Sequence, residues 1–148
     1  MVNRHYHVIN DDIKNKKLNE KFDVITCISV LEHIDDHRAA MRSMSDLLNP
    51  GGHLILTCPY TDNEYSPNVY DIKESSVKEK LSFVTQSFSS NERDSWLQDS
   101  ELDLVCDEYW QFFEGQFWTC GEMLSKPKLV SKNEKHQICC MLFKKKDD

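Results

Sequence analysis

Residues 22–60 read FDVITCISVLEHIDDHRAAMRSMSDLLNPGGHLILTCPY, and this stretch decides the fold of the chain. Residues 22–30 are β-branched and apolar with only short polar interruptions, which is typical of a parallel strand that is covered on both faces. Residues 53–58 show the same pattern and predict a second buried strand. The stretch therefore predicts a βαβ unit, in which a right-handed crossover joins two parallel strands.

A helix over residues 37–48 is predicted between these strands. Asp35 and Asp36 supply an N-cap and a favourable negative charge at its start. Apolar side chains recur at the spacing of one helix face, at Ala40, Met44, Leu47 and Leu48. The sequence NPGG at residues 49–52 ends the helix, because proline lacks an N–H donor and glycine permits positive φ.

The remaining elements are predicted from their own local patterns. Residues 5–13 alternate weakly, end in two aspartates and predict a strand. Residues 61–80 are polar and predict a loop on the substrate side of the sheet. A capping-box pattern predicts a short helix over residues 89–100. Residues 102–113 and 136–144 are strand-like and predict an antiparallel pair at the sheet edge.

Composition bounds the class of protein. With 148 residues the chain fits one domain, and a net charge of -7 argues against binding to a nucleic-acid backbone. The six cysteines include no CxxC pair, and most lie in apolar runs, which indicates reduced and buried thiols. No apolar run approaches the length of a signal peptide core or a membrane span. A cytoplasmic protein that contacts no membrane is expected.

Two motifs carry a resemblance to a known family. Residues 31–34 read LEHI after the first strand, and residues 48–56 read LNPGGHLIL into the second. Their order and spacing resemble the fourth strand, helix and fifth strand of class I S-adenosylmethionine-dependent methyltransferases. The resemblance implies an α/β fold: a partial Rossmann-like sheet, mostly parallel, with a C-terminal antiparallel strand pair. It also implies a single methyltransferase-like domain over residues 1–148 that is N-terminally truncated relative to the family.

The same resemblance implies which residues would bind the cofactor S-adenosylmethionine. Asp12 would accept a hydrogen bond from the adenine amino group, and Ile13 would pack on the ring. Cys27, Ile28 and Ser29 would approach the methionine part of the cofactor, mainly through backbone groups. The alternative is that the aspartates merely end a strand.

Glu32 and His33 are the candidate catalytic residues. By resemblance they follow the fourth strand and face the cleft, where a carboxylate or an imidazole orients the acceptor or takes its proton. The structural alternative is that Glu32 caps a turn and His33 packs. The Glu-His order does not match an HExxH motif, and no metal site is predicted. A sulfonium methyl group is already activated, so few catalytic side chains are expected.

Candidate substrate-binding residues lie after the second strand. Tyr60, Tyr65 and Tyr70 are placed to line a pocket for a small-molecule acceptor. Relatives that methylate the amino groups of nucleic-acid bases carry a Pro-Pro-aromatic motif after the fourth strand, and Leu-Glu-His stands at this position here. Base methylation is therefore not predicted. A second aromatic series favours packing between strands over a stacking site, at Tyr109, Trp110, Phe112, Phe113, Phe117 and Trp118.

The glycine-rich turn of the family has no counterpart in the sequence. The four glycines stand at 51, 52, 115 and 121, and none lies between an N-terminal strand and a helix. In the family the strands that carry this turn lie beside the fourth strand. We therefore expect residues 24–30 to present an unpaired apolar edge.

Three functional hypotheses follow from these observations. The first is S-adenosylmethionine-dependent methyl transfer to an unidentified small-molecule acceptor. The second is a non-catalytic methyltransferase-like subunit that forms a homo- or hetero-oligomer through its open sheet edge. The third is another α/β nucleotide-binding protein that shares only the βαβ unit.

Overall fold

The computed structural model describes residues 7–147. Short 3-10 turns lie at Ile13–Asn15, Leu31–His33 and Val69–Asp71. In chain order the regular elements are β1 (Phe22–Ile28), α1 (His37–Leu47), β2 (Leu48–Pro59), α2 (Ser90–Asp99), β3 (Leu102–Phe113), β4 (Met123–Val130) and β5 (Ile138–Lys145).

The strands form one mixed sheet in the order β1-β2-β5-β3-β4. The parallel pair β1–β2 and its crossover helix α1 are the predicted βαβ unit. The predicted antiparallel pair is β3 with β5. The α/β class, the βαβ unit and the antiparallel pairing are thus confirmed, but β4 and not this pair forms the edge of the sheet. Among the described strands the sheet is not mostly parallel, because the pairings β2–β5, β5–β3 and β3–β4 are all antiparallel.

Two local expectations are wrong. Residues 5 and 6 of the expected N-terminal strand lie outside the described residues, and residues 7–12 form no strand. The Asp12 carboxylate instead accepts a hydrogen bond from the Lys14 N–H at 3.0 Å and begins a 3-10 turn. Such local bonds compete with a strand ladder. The second difference is β4, which lies between the two predicted strands of residues 102–113 and 136–144, where the sequence pattern predicted no strand.

The core lies between one face of the sheet and the two helices. Inward residues of β2 and β5 alternate along each strand and pack with the apolar faces of α1 and α2. This single layer of helices buries, among others, Ala40, Met41, Met44, Leu54, Leu56, Cys58, Trp96, Cys139, Met141 and Phe143. The predicted helix over residues 37–48 is confirmed, with Leu47 as its last residue.

A bulge near the start of β2 places one glycine at positive φ. Gly51 has φ +73°, in the left-handed region that favours glycine. The Asn49 amide donates to the Asp23 carboxylate at 2.8 Å, which links this bulge to β1. The NPGG sequence follows the last helical residue, Leu47, and shifts the register between Phe22 opposite Leu48 and Val24 opposite His53.

The opposite face of the sheet carries exposed apolar side chains. Val24, Ile28, Ile55 and Val105 are 56%, 51%, 38% and 53% exposed, and both helices pack on the other face. Among the described residues β1 pairs only with β2, so the expected unpaired edge is present there. No helix in this part of the chain is long and apolar enough to cross a membrane.

The capping box of α2 gives a direct test of the fold. Ser89 Oγ accepts from the Asn91 N–H, and Glu92 accepts from the Ser89 N–H at 3.0 Å. We expect Ser89→Ala to lower the free energy of unfolding by about 1 kcal/mol, because helix-end donors lose their acceptor. Urea denaturation measures the change, with the exposed Ser82→Ala as control. Equal midpoints for Ser89→Ala and the native chain would contradict the assignment.

Candidate active site

A cavity of about 730 Å³ opens on the helix-free face of the sheet. It lies at the carboxyl ends of β1 and β2, where α/β proteins usually bind ligands. Its walls come from β2, β3, β4 and β5 and from the segments that follow β1, β2 and β3. The lining residues are Ser29, Glu32, His33, Thr57, Pro59, Tyr70, Phe83, Thr85, Trp110, Phe112, Trp118, Pro127, Ile138 and Cys140.

Glu32 and His33 reach the cavity on the 3-10 turn that follows β1. Leu31 is fully buried and anchors this turn in the core. Gln86 fixes its backbone: the Gln86 N–H donates to the Glu32 carbonyl at 3.0 Å, and Gln86 Nε2 donates to the Ile34 carbonyl at 2.7 Å. The structure thus brings the two predicted catalytic residues together at one wall of the cavity.

One oxygen of the buried Glu32 carboxyl has no hydrogen-bond partner. The residue is 4% exposed, and its Oε2 atom accepts no hydrogen bond within residues 7–147. Burial raises the pKa of Glu32 above its usual value, because the charged form loses hydration. A carboxyl in this environment is able to hold a proton or accept one from a bound molecule.

His33 has one ring nitrogen engaged and the other available. Nδ1 lies 2.7 Å from the Val84 carbonyl, a contact in which the nitrogen must be the donor. The neutral ring then keeps an unprotonated Nε2 that is able to accept a proton. Phe83 packs edge-on against the imidazole, with ring centroids 5.2 Å apart. The geometry suits a base held by its second nitrogen.

Ser29 stands at the junction of β1 and the cavity. Its φ of +50° is unusual for a residue other than glycine. The backbone N–H of Ser29 donates to the carbonyl and the hydroxyl of Thr57, at 3.0 and 3.1 Å, and these bonds hold the conformation. Of the candidate cofactor residues on β1 and its end, only Ser29 lines the cavity, since Cys27 points into the core and Ile28 is exposed beside it.

The predicted adenine contacts lie elsewhere. Ile13 and Cys27 line a separate apolar pocket of about 220 Å³ on the helix side of β1. Asp12 is exposed, and one of its carboxylate oxygens caps the turn. Within residues 7–147 no glycine-rich turn opens a helix beside these residues. The structure therefore does not bring the predicted adenine contacts and Ser29 together in one cavity.

The three candidate substrate tyrosines are separated by the fold. Tyr60 is fully buried, and its hydroxyl donates to the Asp62 carboxylate at 3.2 Å, away from the cavity. Tyr65 donates to Gln86 Oε1 at 2.8 Å and so supports the residue that holds the turn after β1. Tyr70 alone lines the cavity, where its hydroxyl accepts from Thr85.

Sequence reasoning missed much of the aromatic wall. Trp110, Phe112 and Trp118 line the cavity, although the sequence favoured packing between strands for this series. Phe83 adds a ring from the loop before α2. The available signal was the spacing of Trp110 and Phe112, which places both on one face of β3. No metal site is formed here: the His, Cys, Asp and Glu side chains of residues 7–147 include no group of three suited to a metal ion.

Comparison with known proteins identifies the family. Residues 2–119 match the family model described as a methyltransferase domain. The chain belongs to this methyltransferase family. The family predicted from the LEHI and LNPGGHLIL motifs is confirmed, and its cofactor is S-adenosylmethionine.

Curated relatives of the methyltransferase domain are distant or match it over short stretches. The ubiquinone biosynthesis O-methyltransferase of Hydrogenovibrio crunogenus is 23% identical over 128 residues, which cover 86% of this chain and 51% of that protein. The enzyme of the same name from Proteus mirabilis is 35% identical over 51 residues, covering 33% of this chain and 21% of that protein. The chain spans about half or less of the length of these relatives.

Solved structures support the fold. A methyltransferase of Thermotoga maritima described as a possible histamine N-methyltransferase matches with a TM-score of 0.63 at 17% identity, over 95% of this chain and 64% of that one. An S-adenosylmethionine-dependent methyltransferase of Clostridium acetobutylicum matches with a TM-score of 0.55 at 18% identity, over 92% and 63%. At this identity the likeness extends to the fold alone.

The buried carboxyl predicts a pH-dependent stability. Because the folded pKa of Glu32 is raised above 4.5, its contribution to stability is fully present below pH 4.5 and is lost as pH rises through the folded pKa. The side chain of Glu32→Gln stays neutral at every pH. Its free energy of unfolding should therefore increase relative to that of the native chain as pH rises from 4.5 toward neutrality. Urea unfolding across that range measures the difference.

The control for this experiment is Glu64→Gln, since Glu64 is exposed. A Glu32→Gln difference that changes with pH no more than the Glu64→Gln difference would show that the Glu32 carboxyl is not held in an environment that favours its neutral form.

Proposed function

We propose that this chain takes part in S-adenosylmethionine-dependent methyl transfer to a small molecule, with the 730 Å³ cavity as the acceptor site. The observation that carries the proposal is the pair Glu32 and His33 at the cavity wall, directly after β1 of a methyltransferase domain. The volume lies in the range of small-molecule sites. A pocket of this size favours a small acceptor over a macromolecular surface.

His33 and Glu32 have separate roles in this proposal. His33 Nε2 takes the acceptor proton, since its Nδ1 is held by the Val84 carbonyl. Glu32 orients the acceptor through its unpartnered oxygen. Tyr70 and Thr85 form a further polar contact, at 3.0 Å, on the wall near His33. Beyond these contacts, the site has only to align the acceptor with the methyl group.

The cofactor would lie along β1. Ser29 and the exposed Ile28 face the cavity side, while Asp12, Ile13 and Cys27 border the smaller apolar pocket or the turn beside it. The backbone of β1 lies between these two groups, so a cofactor that contacts both must follow the open strand edge. A glycine-rich segment would complete this side of the site. We therefore expect weak cofactor binding to the 148-residue chain alone.

Titration calorimetry with S-adenosylhomocysteine tests the proposal. We expect saturable heat only at millimolar ligand, because one side of the site is incomplete. Ser29→Val should abolish that heat, since a β-branched residue resists positive φ at the strand end. The control is Val105→Thr on β3, an exposed position distant from β1 in the strand order. Absence of heat for the native chain would overturn a cofactor-binding role for this polypeptide.

A second candidate function is self-association through the edge of β1. The strand FDVITCI carries no lysine or proline, the residues that commonly protect an exposed edge. Its only charge, Asp23, is bonded to Asn49. Val24, Ile28 and Val30 add an exposed apolar surface beside the edge. These features support antiparallel pairing of β1 with β1 of a second copy, which forms a symmetric interface.

Light scattering coupled to size exclusion measures this association. The native chain should exceed its monomer mass of 17.4 kDa. Val24→Lys should return it to a monomer, because a charge beside the edge opposes pairing with a second copy. Val105→Lys, equally exposed on the same face but on β3, should not. A monodisperse, folded monomer of the native chain would contradict this second function.

A further inference from the structure

We infer that the cavity selects an uncharged, planar aromatic molecule whose hydroxyl or amino group donates a hydrogen bond to Glu32. This inference rests on the proposed function, because it names the class of acceptor that the cavity would take. It depends on three properties of the wall: its aromatic surface, its unpartnered acceptor and its lack of cationic side chains.

The aromatic surface comes from two distant parts of the chain. Tyr70 and Phe83 belong to the loop between β2 and α2, and their rings meet edge-on at 6.1 Å. Phe112 and Trp118 belong to β3 and the segment after it, and their rings meet edge-on at 5.3 Å. Edge-on pairing leaves ring faces available to a further ring. A flat aromatic ligand matches such a wall better than a flexible aliphatic one.

The polar requirement comes from Glu32. Gln86 uses its amide to hold the backbone of the turn, and the Glu32 carboxyl takes no part in that clamp. The carboxyl is 4% exposed, and its Oε2 has no partner among the described residues. A buried acceptor without a donor is costly, and a ligand O–H or N–H removes that cost. The turn is therefore rigid while its acceptor is left for a ligand.

The charge of the ligand follows from the same wall. No Lys or Arg stands among the described residues that line the cavity, so a carboxylate or phosphate ligand has no cationic partner there. Burial raises the pKa of Glu32 and favours its neutral form, which would not balance a cationic ligand. An uncharged molecule with a single donor is the class that meets both conditions.

Nitrogen-15 NMR of the three indole N–H groups tests the inference on the full chain. The probes are 2-naphthol, 2-methoxynaphthalene, which lacks the donor, and decahydro-2-naphthol, which lacks the aromatic ring. We expect 2-naphthol to shift the Trp110 and Trp118 signals. Trp96 should not shift, because it lies in the core with its N–H bonded to His37 at 2.9 Å. The other two probes should bind about tenfold more weakly.

Two variants separate the hydrogen bond between the ligand and Glu32 from the burial of the ligand in the cavity. Glu32→Met removes the acceptor and keeps an apolar side chain of similar length, so the preference for 2-naphthol over its methyl ether should disappear. Glu64→Met, at an exposed position outside the cavity, should retain that preference. Equal affinities of the native chain for the two probes would overturn the contact with Glu32. Absence of Trp110 and Trp118 shifts with every probe would overturn the aromatic class.

These outcomes are distinct from failure of the proposed function. The NMR experiment contains no cofactor, so a positive probe series with no heat from S-adenosylhomocysteine would keep the aromatic site and refute cofactor binding. If the chain shows heat on titration with S-adenosylhomocysteine but binds all three probes equally, cofactor binding is retained and the proposed class of acceptor is refuted.

Discussion

The parallel pairing of β1 with β2 constrains the rest of the molecule. Its crossover helix α1 must return along one face of the sheet, where it packs on the inward side chains of β2. Helix α2 joins α1 on that face, and one continuous core results. The other face of the sheet then carries no described helix. The candidate acceptor cavity lies on that face, so its location follows from the one-sided helical layer.

At the cavity, the contacts that hold the turn after β1 leave the Glu32 carboxyl and one nitrogen of His33 uninvolved. Gln86 satisfies the backbone of the turn after β1 and is itself held by Tyr65, which fixes the turn without using the Glu32 carboxyl. The Val84 carbonyl holds His33 through Nδ1, and no hydrogen bond to its Nε2 is formed within residues 7–147. The Glu32 backbone and the His33 ring are therefore both held by contacts with the loop after β2. This loop also supplies Phe83 and Tyr70 to the wall, so one segment both supports and encloses the site.

Local patterns predicted the elements whose stabilising contacts are near in sequence. The βαβ unit, the end of α1 at the NPGG turn and the capping box at Ser89 are confirmed. The N-terminal strand was predicted from weak alternation, but Asp12 and Asp11 bond to nearby backbone N–H groups and make a turn. β4 was missed because it is mostly exposed and pairs with a strand on one side only. Its alternation is therefore weak.

Contiguous motifs were sufficient to predict the methyltransferase family, the parallel pair and the position of Glu32 and His33 after β1. The choice of the tyrosine that reaches the cavity depends on tertiary packing, because Tyr60 is covered by Tyr109 and His136, which lie far along the chain. Tertiary packing also determines that Trp110 and Phe112 face a cavity, since the residues that cover this strand face are distant in sequence. Local periodicity gives the face of a side chain, and distant packing determines what that face meets.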